Sequence, residues 1–202
     1  MDSPHRYFAL NKPSNMLSQF ISDSPKATLL GNLDYPFPEG THAIGRLDKN
    51  TEGLLLLTTD KRITGLLFHS GKKHLRTYLV MVKNAMSETT LQKLRNGVTI
   101  QLKATEFYHA VPAGVEIISD SLSYYPYAAD ERMHYPHTWL LMHLTEGKYR
   151  QIRKMVLLVG HRCLRLIRLS IEEMDLKGIQ PGEVKEFSEE EYFRLLRLSE
   201  KD

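Results

Sequence analysis

Gly45-Arg46-Leu47-Asp48-Lys49-Asn50-Thr51-Glu52-Gly53 runs directly into Leu54-Leu55-Leu56-Leu57-Thr58-Thr59-Asp60. Two glycines bracket a short polar loop, and an uninterrupted leucine run follows it. The run from Gly53 to Thr59 has the length of a strand buried on both faces, although four leucines alone would also suit a helix. The loop therefore presents an Arg and an Asp at the mouth of a buried element, and loops on rigid strands are where catalytic carboxylates tend to sit. A plain turn, with Asp48 bonding its own backbone, would satisfy the same residues. A phosphate-binding P-loop is not supported, because the Gly-Lys-Ser/Thr ending is missing.

Outward from this stretch, Asp60 reads as an N-cap for a helix through Ile63, Leu66, Leu67 and Phe68, with Gly71 beyond its end. Leu75 to Val82 reads as a strand. Ser87 caps a short helix through Leu91 and Leu94 that Gly97 stops. Ile100 to Ile118 reads as strand pairs broken by Pro112-Ala113-Gly114. Residues 119 to 138 form a polar, aromatic, Pro-bearing loop, and loops of this length are usually functional or mobile. Trp139 to Leu144 is a further strand, Gln151 to Val159 a helix ended by Gly160, and Leu164 to Ile171 a strand carrying Arg165 and Arg168. Ser188-Glu189-Glu190-Glu191 has capping-box spacing and opens a short C-terminal helix. In the first 40 residues, rich in Pro, Ser and Asn, the stretch Tyr35 to Gly40 reads as a turn. Strands dominate with few helices, which makes the fold class α+β.

The 202 residues carry 27 Lys+Arg and 24 Asp+Glu, a net charge of +3, and 42% are hydrophobic. That is enough apolar material for a real core, and it excludes disordered or collagen-like chains. One cysteine, Cys163, excludes an intramolecular disulfide and a Cys-pair zinc site, and a reducing compartment is the simplest reading. The longest apolar runs are far short of the ~20 residues a membrane span takes, and no signal-peptide stretch opens the chain. A cytoplasmic protein without membrane attachment is expected.

A charge of +3 is too mild to identify a nucleic-acid partner, so its distribution matters more. In Glu146-Gly147-Lys148-Tyr149-Arg150-Gln151-Ile152-Arg153-Lys154-Met155, four cations fall within seven residues where a strand turns into a helix. Such a cluster suits phosphate oxygens; an ordinary solvated charged face has the same composition. Arg150 and Arg153, three apart, are expected on one helix face, with Ile152 and Met155 toward the core. Lys72, Lys73, His74 and Arg76 precede Tyr78, and His161, Arg162, Arg165 and Arg168 follow the Arg-rich helix. A basic sheet face with interleaved tyrosines would suit RNA. His134, His137, His143 and Cys163 match no zinc spacing, so no metal site is assigned.

Taken together, GRLDKNTEGLLLLTTD, Tyr78 in RTYLV and EGKYRQIRKM resemble the ribosomal-RNA pseudouridine synthases of types A, B, E and F, of which type A serves the small ribosomal subunit and the other three the large one. Asn11-Lys12-Pro13 and VGHRCLRLIRLSI add to the match, which runs in order over about residues 6 to 192. Most members begin with an RNA-binding domain of the S4 type. Here Asn-Lys-Pro begins at residue 11, and with Trp139 shortly before Glu-Gly the chain looks most like the E-type enzymes. It departs from that pattern at Arg76, where Lys is usual, at Tyr149, where Asn is common, and in a 119–138 loop without the usual Arg-Pro-Pro stretch.

The resemblance implies a mixed, mostly antiparallel sheet with flanking helices and a central catalytic cleft. It implies one catalytic domain over residues 1–202, divisible into two subdomains about the cleft, with no S4 domain. It implies isomerisation of a uridine in ribosomal RNA, that of the large subunit, by an enzyme without cofactor or metal acting as a monomer. Asp48 matches the catalytic carboxylate, which either traps a sugar cation at C1′ or removes the C2′ proton. Tyr78 matches the active-site Tyr, and Arg153 is expected to pair with Asp48. Ile152 would form an apolar floor, Arg46 would fill the gap left by a flipped nucleotide, and Lys148, Arg150, Gln151 and Lys154 would bind the RNA. The alternatives are a synthase acting on small-subunit rRNA or tRNA, and a non-catalytic RNA-binding module of ribosome assembly. The latter would not need a carboxylate in a basic cleft.

Overall fold

In chain order the elements are β1 (Tyr7–Lys12), β2 (His42–Ile44), β3 (Glu52–Thr58), α1 (Arg62–Phe68), β4 (Arg76–Lys83), α2 (Glu88–Arg95), β5 (Val98–Lys103), β6 (Glu106–Ala110), β7 (Gly114–Ile118), α3 (Ser121–Tyr124), β8 (His137–Leu144), α4 (Gln151–Leu158), β9 (Cys163–Ile171), β10 (Met174–Asp175), β11 (Val184–Phe187) and α5 (Glu189–Leu195). The computed structural model describes residues 5–68, 71–130 and 134–199. The architecture is α+β with mostly antiparallel strand pairing. Two compact units are present, one of residues up to 74 and from 170 on, the other of residues 75–169.

In the first unit β1 lies between β3 and β11 and is antiparallel to both. The leucine run forms β3, with Leu54, Leu55, Leu56 and Leu57 all fully buried. A strand covered on both faces has no reason to alternate polar and apolar residues, which is why four leucines can stand in a row. Register pairs Phe8 with Leu57 and Leu10 with Leu55. These four pack with Met16, Leu30 and Leu47 in one core cluster. Each fully buried Leu or Phe contributes about 1.5–3 kcal/mol. Tyr7, on the opposite face of β1, meets Tyr192 of α5 at 5.1 Å between ring centroids. Asp60 caps α1 as expected, its Oδ1 accepting from the Arg62 N–H at 3.0 Å.

In the second unit β4 lies between β9 and β8, with β7 beyond β8. β4 and β8 pair along their whole length, from Arg76 opposite Leu144 to Lys83 opposite His137. Tyr78, Val80 and Val82 of β4 and Leu140, Met142 and Leu144 of β8 share a cluster with Leu91 and Leu94 of α2 and with Ile152, Met155 and Val156 of α4. Ser87 Oγ accepts from the Thr90 N–H at the start of α2. The chain leaves this helix through Gly97 at φ +87°, where a Cβ would lie 2.7 Å from Val111 Cγ2. Only glycine meets both conditions. β5 and β6 form a separate antiparallel hairpin, turning at Ala104-Thr105.

The stretch expected as a loop over 119–138 is more ordered than that. Asp120 Oδ1 accepts from the N–H groups of Leu122 and Ser123 and so caps α3, and His137 and Thr138 already belong to β8. Residues 127–130 are fastened by Arg165 of β9. Its guanidinium donates to the carbonyls of Tyr127 (3.0 Å), Ala128 (2.9 Å) and Ala129 (3.2 Å) and lies 4.0 Å from Asp130. Residues 131–133 of that stretch lie outside the described residues.

Candidate active site

Asp48 stands in the connection between β2 and β3, half-buried, with Arg46 and Lys49 exposed beside it. Three devices fix this connection. Gly45 takes φ +68°, and a Cβ there would press within 3.0 Å of the Phe68 ring. Leu47 is buried in the first unit's core, and its backbone is gripped by Ser18: the Leu47 N–H donates to Ser18 Oγ and the hydroxyl donates to the Leu47 carbonyl, both at 3.0 Å. The Thr51 N–H donates to the Asp48 carbonyl at 2.9 Å and closes the turn. The turn geometry expected of this stretch is therefore present, closed through the Asp48 carbonyl.

Below the loop lies Lys12, fully buried at the end of β1. Its ammonium donates to the carbonyls of Met16 (2.8 Å), Pro13 (2.9 Å) and Lys49 (3.3 Å). A buried charge is tolerable only when hydrogen-bonded in this way. Sequence reasoning used Asn11-Lys12-Pro13 as part of the resemblance and gave Lys12 no role. The available signal was a lysine at the end of the apolar run Tyr7-Phe8-Ala9-Leu10.

Tyr78 lies on β4 in the second unit, 8% exposed and opposite Met142 of β8. Ile152 packs in the same cluster. Arg76, buried two residues before Tyr78, donates to the Thr145 carbonyl at 3.2 Å and ties β4 to the turn after β8. Arg153 projects from α4, with Nη1 3.6 Å from Cys163 Sγ. Ile152 and Met155 face the core as expected. Arg150 does not share the helix with Arg153. It is the residue before α4, in the left-handed region at φ 52°, a conformation that breaks helical continuity and aims its side chain independently of the helix face.

Gln151 organises the turn that leads into α4. It is 4% exposed, its Oε1 accepts from the Lys148 N–H at 2.9 Å, and its Nε2 donates to Glu146 Oε1 at 2.6 Å. This amide holds protein groups on both sides, which leaves the exposed Lys148 and Tyr149 as the presented residues. Lys148 Nζ lies 5.1 Å from the Tyr108 ring centroid. Lys154 Nζ donates to the Gln101 carbonyl at 2.6 Å and lies 5.2 Å from the Tyr149 ring centroid. Asp48 and Arg46 thus belong to the first unit, and Tyr78, Arg153 and the basic turn to the second. Among the described residues there is no group of three or more His, Cys, Asp or Glu able to hold a metal ion.

A family model described as RNA pseudouridylate synthase matches residues 6–158, a span that includes Asp48, Tyr78 and Arg153. The chain belongs to this family. It is 38% identical over 179 residues to the ribosomal large subunit pseudouridine synthase E of Vibrio vulnificus (strain CMCP6), covering 88% of this chain and 73% of that protein. It is 36% identical over 176 residues to the protein of the same name from Xanthomonas axonopodis pv. citri (strain 306), covering 85% of this chain and 88% of that one. A crystal structure of a pseudouridylate synthase superposes with a TM-score of 0.73 at 25% identity, over 95% of this chain and 74% of the other. The chain is thus an RNA-modifying isomerase with the pseudouridine synthase fold, as the sequence motifs implied. Among the described residues no helix is long and apolar enough to cross a membrane.

Proposed function

We propose that the chain isomerises one uridine of large-subunit ribosomal RNA, with Asp48 as the catalytic carboxylate. The names of the Vibrio and Xanthomonas relatives support the choice of target. The observation that carries the role of Asp48 is the construction of its loop. A half-buried carboxylate follows the doubly anchored Leu47, and the next residue's carbonyl is held by a buried ammonium. Catalysis rewards a group held in place before substrate arrives.

In the reaction the C1′–N1 bond breaks, the uracil turns, and C1′ bonds to C5. The C5 hydrogen leaves as a proton and N1 gains one, so the exchange is redox-neutral. Asp48 acts at the sugar. Tyr78 meets the uracil, Ile152 floors the base, and Arg153 orients the carboxylate. Arg46 fills the stack vacated by the flipped nucleotide, whose extrusion costs a few kcal/mol. Lys148, Arg150 and Lys154 take phosphates, with Gln151 shaping the turn that carries them. Residues 1–202 act as one catalytic domain, as a monomer, in the cytoplasm, on ribosomal RNA.

Asp48→Asn is the test. Asparagine keeps the size and cannot serve as nucleophile or base, so pseudouridine formation on large-subunit transcripts is lost. RNA binding persists or tightens, because a negative charge near phosphates is removed. Turnover near wild type would remove Asp48 from the mechanism. Wild-type activity confined to small-subunit RNA or tRNA would replace the target, and binding without turnover on any RNA would point to an assembly module.

A further inference from the structure

Tyr149 is 70% exposed although the turn that carries it is rigid. The Gln151 N–H donates to the Lys148 carbonyl at 3.1 Å, the Gln151 amide accepts from the Lys148 N–H, and Arg150 is locked in the left-handed region. An aromatic ring in that position buries little apolar surface and adds little to folding, yet the backbone that presents it is fixed. Lys154 Nζ, 5.2 Å from the ring centroid, is itself fixed on the Gln101 carbonyl of β5. Across the same turn Lys148 Nζ lies 5.1 Å from the ring of Tyr108 on β6. Two tyrosine rings, each with an ammonium at it, therefore border one turn of the second unit.

The charge there is positive. Lys148, Arg150, Arg153 and Lys154 stand against Glu146, whose Oε1 is bonded by Gln151 and whose Oε2 is bonded by the Thr145 hydroxyl at 3.2 Å. Ring faces alternating with cations are the chemistry that holds single-stranded nucleic acid, with bases on the rings and phosphates on the cations. A duplex keeps its base faces stacked inside and offers nothing to an exposed ring.

We propose that Tyr149 is a base-stacking residue for an unpaired nucleotide of the RNA substrate outside the reacting uridine, with Lys154 and the Tyr108–Lys148 pair continuing the same single-strand surface. This rests on the reading of the chain as an enzyme of structured RNA, and it adds a requirement that the substrate present an unpaired base at this position.

The test compares wild type, Tyr149→Ala and Tyr149→Phe in the full chain, binding a fluorescein-labelled oligouridylate of about ten nucleotides by anisotropy. Loss of one base–ring stack weakens binding between about fivefold and about 150-fold in Tyr149→Ala. Tyr149→Phe keeps the ring and stays within about twofold. Both substitutions are at an exposed side chain, and circular dichroism checks that the fold is kept. A Tyr149→Ala loss smaller than fivefold overturns the proposal. So does an equal loss in Tyr149→Phe, which would assign the effect to the hydroxyl, or failure of the wild type to bind the oligonucleotide. The readout separates this inference from the choice of target. A wrong target shows as unmodified large-subunit RNA with wild type, and a wrong stacking site shows as unaltered binding by Tyr149→Ala.

Discussion

Replacing Lys12 with methionine tests whether the carboxylate loop is held from below. Methionine fills nearly the same volume and keeps the apolar stem, so the change removes the ammonium and little else. Bonds from a charged donor are worth about 1.5–3 kcal/mol each. The bonds to Met16 and Pro13, at 2.8 and 2.9 Å, count near 2 kcal/mol apiece, and the 3.3 Å bond to Lys49 about half that. Burying the thioether in place of the ammonium offsets roughly 2 kcal/mol. The net loss is about 3 kcal/mol, a fall in Tm of roughly 6–12 °C for a chain of this size. The rate should fall further than stability alone requires. Ser18 still grips Leu47, but Lys49 loses its anchor, and a displacement of about 1 Å at Asp48 costs on the order of 100-fold in the chemical step. Differential scanning calorimetry gives the first quantity and single-turnover conversion at saturating RNA the second. A Lys12→Met protein melting within about 2 °C of wild type and reacting within a few-fold of its rate would refute the idea that this ammonium positions the loop.

Two further perturbations address the two units separately. Burial pushes the Asp60 carboxyl up, but bonds from the Arg62 guanidinium and backbone N–H and from the Tyr7 hydroxyl hold it below the ordinary aspartate value. That stabilisation is complete above the unfolded aspartate range and is lost as pH falls through the lower folded value. Asp60→Asn therefore costs stability at neutral pH, and its deficit in urea midpoint narrows below about pH 4; a deficit unchanged down to acid pH would contradict the charge argument. Arg165→Ala removes the donor to three successive carbonyls and should raise chymotrypsin cleavage after Tyr124 and Tyr127, the exposed aromatics nearest those carbonyls, while the thermal transition moves little. Equal cleavage rates in mutant and wild type would mean that something else fastens residues 127–130.

Elements with local punctuation were readable from the chain. Asp60, Ser87 and Ser188 each cap the helix assigned to them, and the leucine run forms β3 with its ends shifted by one residue. β1 was missed for the same reason that β3 allowed two readings. Tyr7-Phe8-Ala9-Leu10-Asn11-Lys12 is buried at every position, so no alternation marks it, and its polar end looks like a loop. β2 and β10 are three and two residues long, and β11, Val-Lys-Glu-Phe, carries edge-strand charges. They exist because long-range pairing selects them, and no local propensity encodes that. The motifs of the family resemblance singled out Asp48, Tyr78 and Arg153, because a motif is carried by residue type and order and needs no knowledge of the fold. The clamp by Arg165 and the inward commitment of Gln151 were not legible. Both act on backbone groups or on a turn that only the folded chain brings within reach.

The Asn11-Lys12 pair shows how that long-range information is stored. Adjacent residues of a strand point to opposite faces, and both side chains here are fully buried. Asn11 Nδ2 donates to the Ile179 carbonyl at 2.8 Å, while its backbone exchanges bonds with Gly182 and Glu183. Lys12 reaches the carbonyls of Met16, Pro13 and Lys49 on the other side. Buried polar groups stay in place only when every such bond is made. One pair of adjacent residues thus pins the segment that precedes β11 and the loop that carries Asp48, two stretches more than 100 residues apart in the chain. The acceptors are main-chain carbonyls, which every residue supplies. Residues 16, 49 and 179 can therefore change side chain without loss of the tie, whereas positions 11 and 12 cannot. An apolar substitution at position 12 would pack as well and still release the loop whose placement the proposed chemistry requires, and one at position 11 would release the segment before β11.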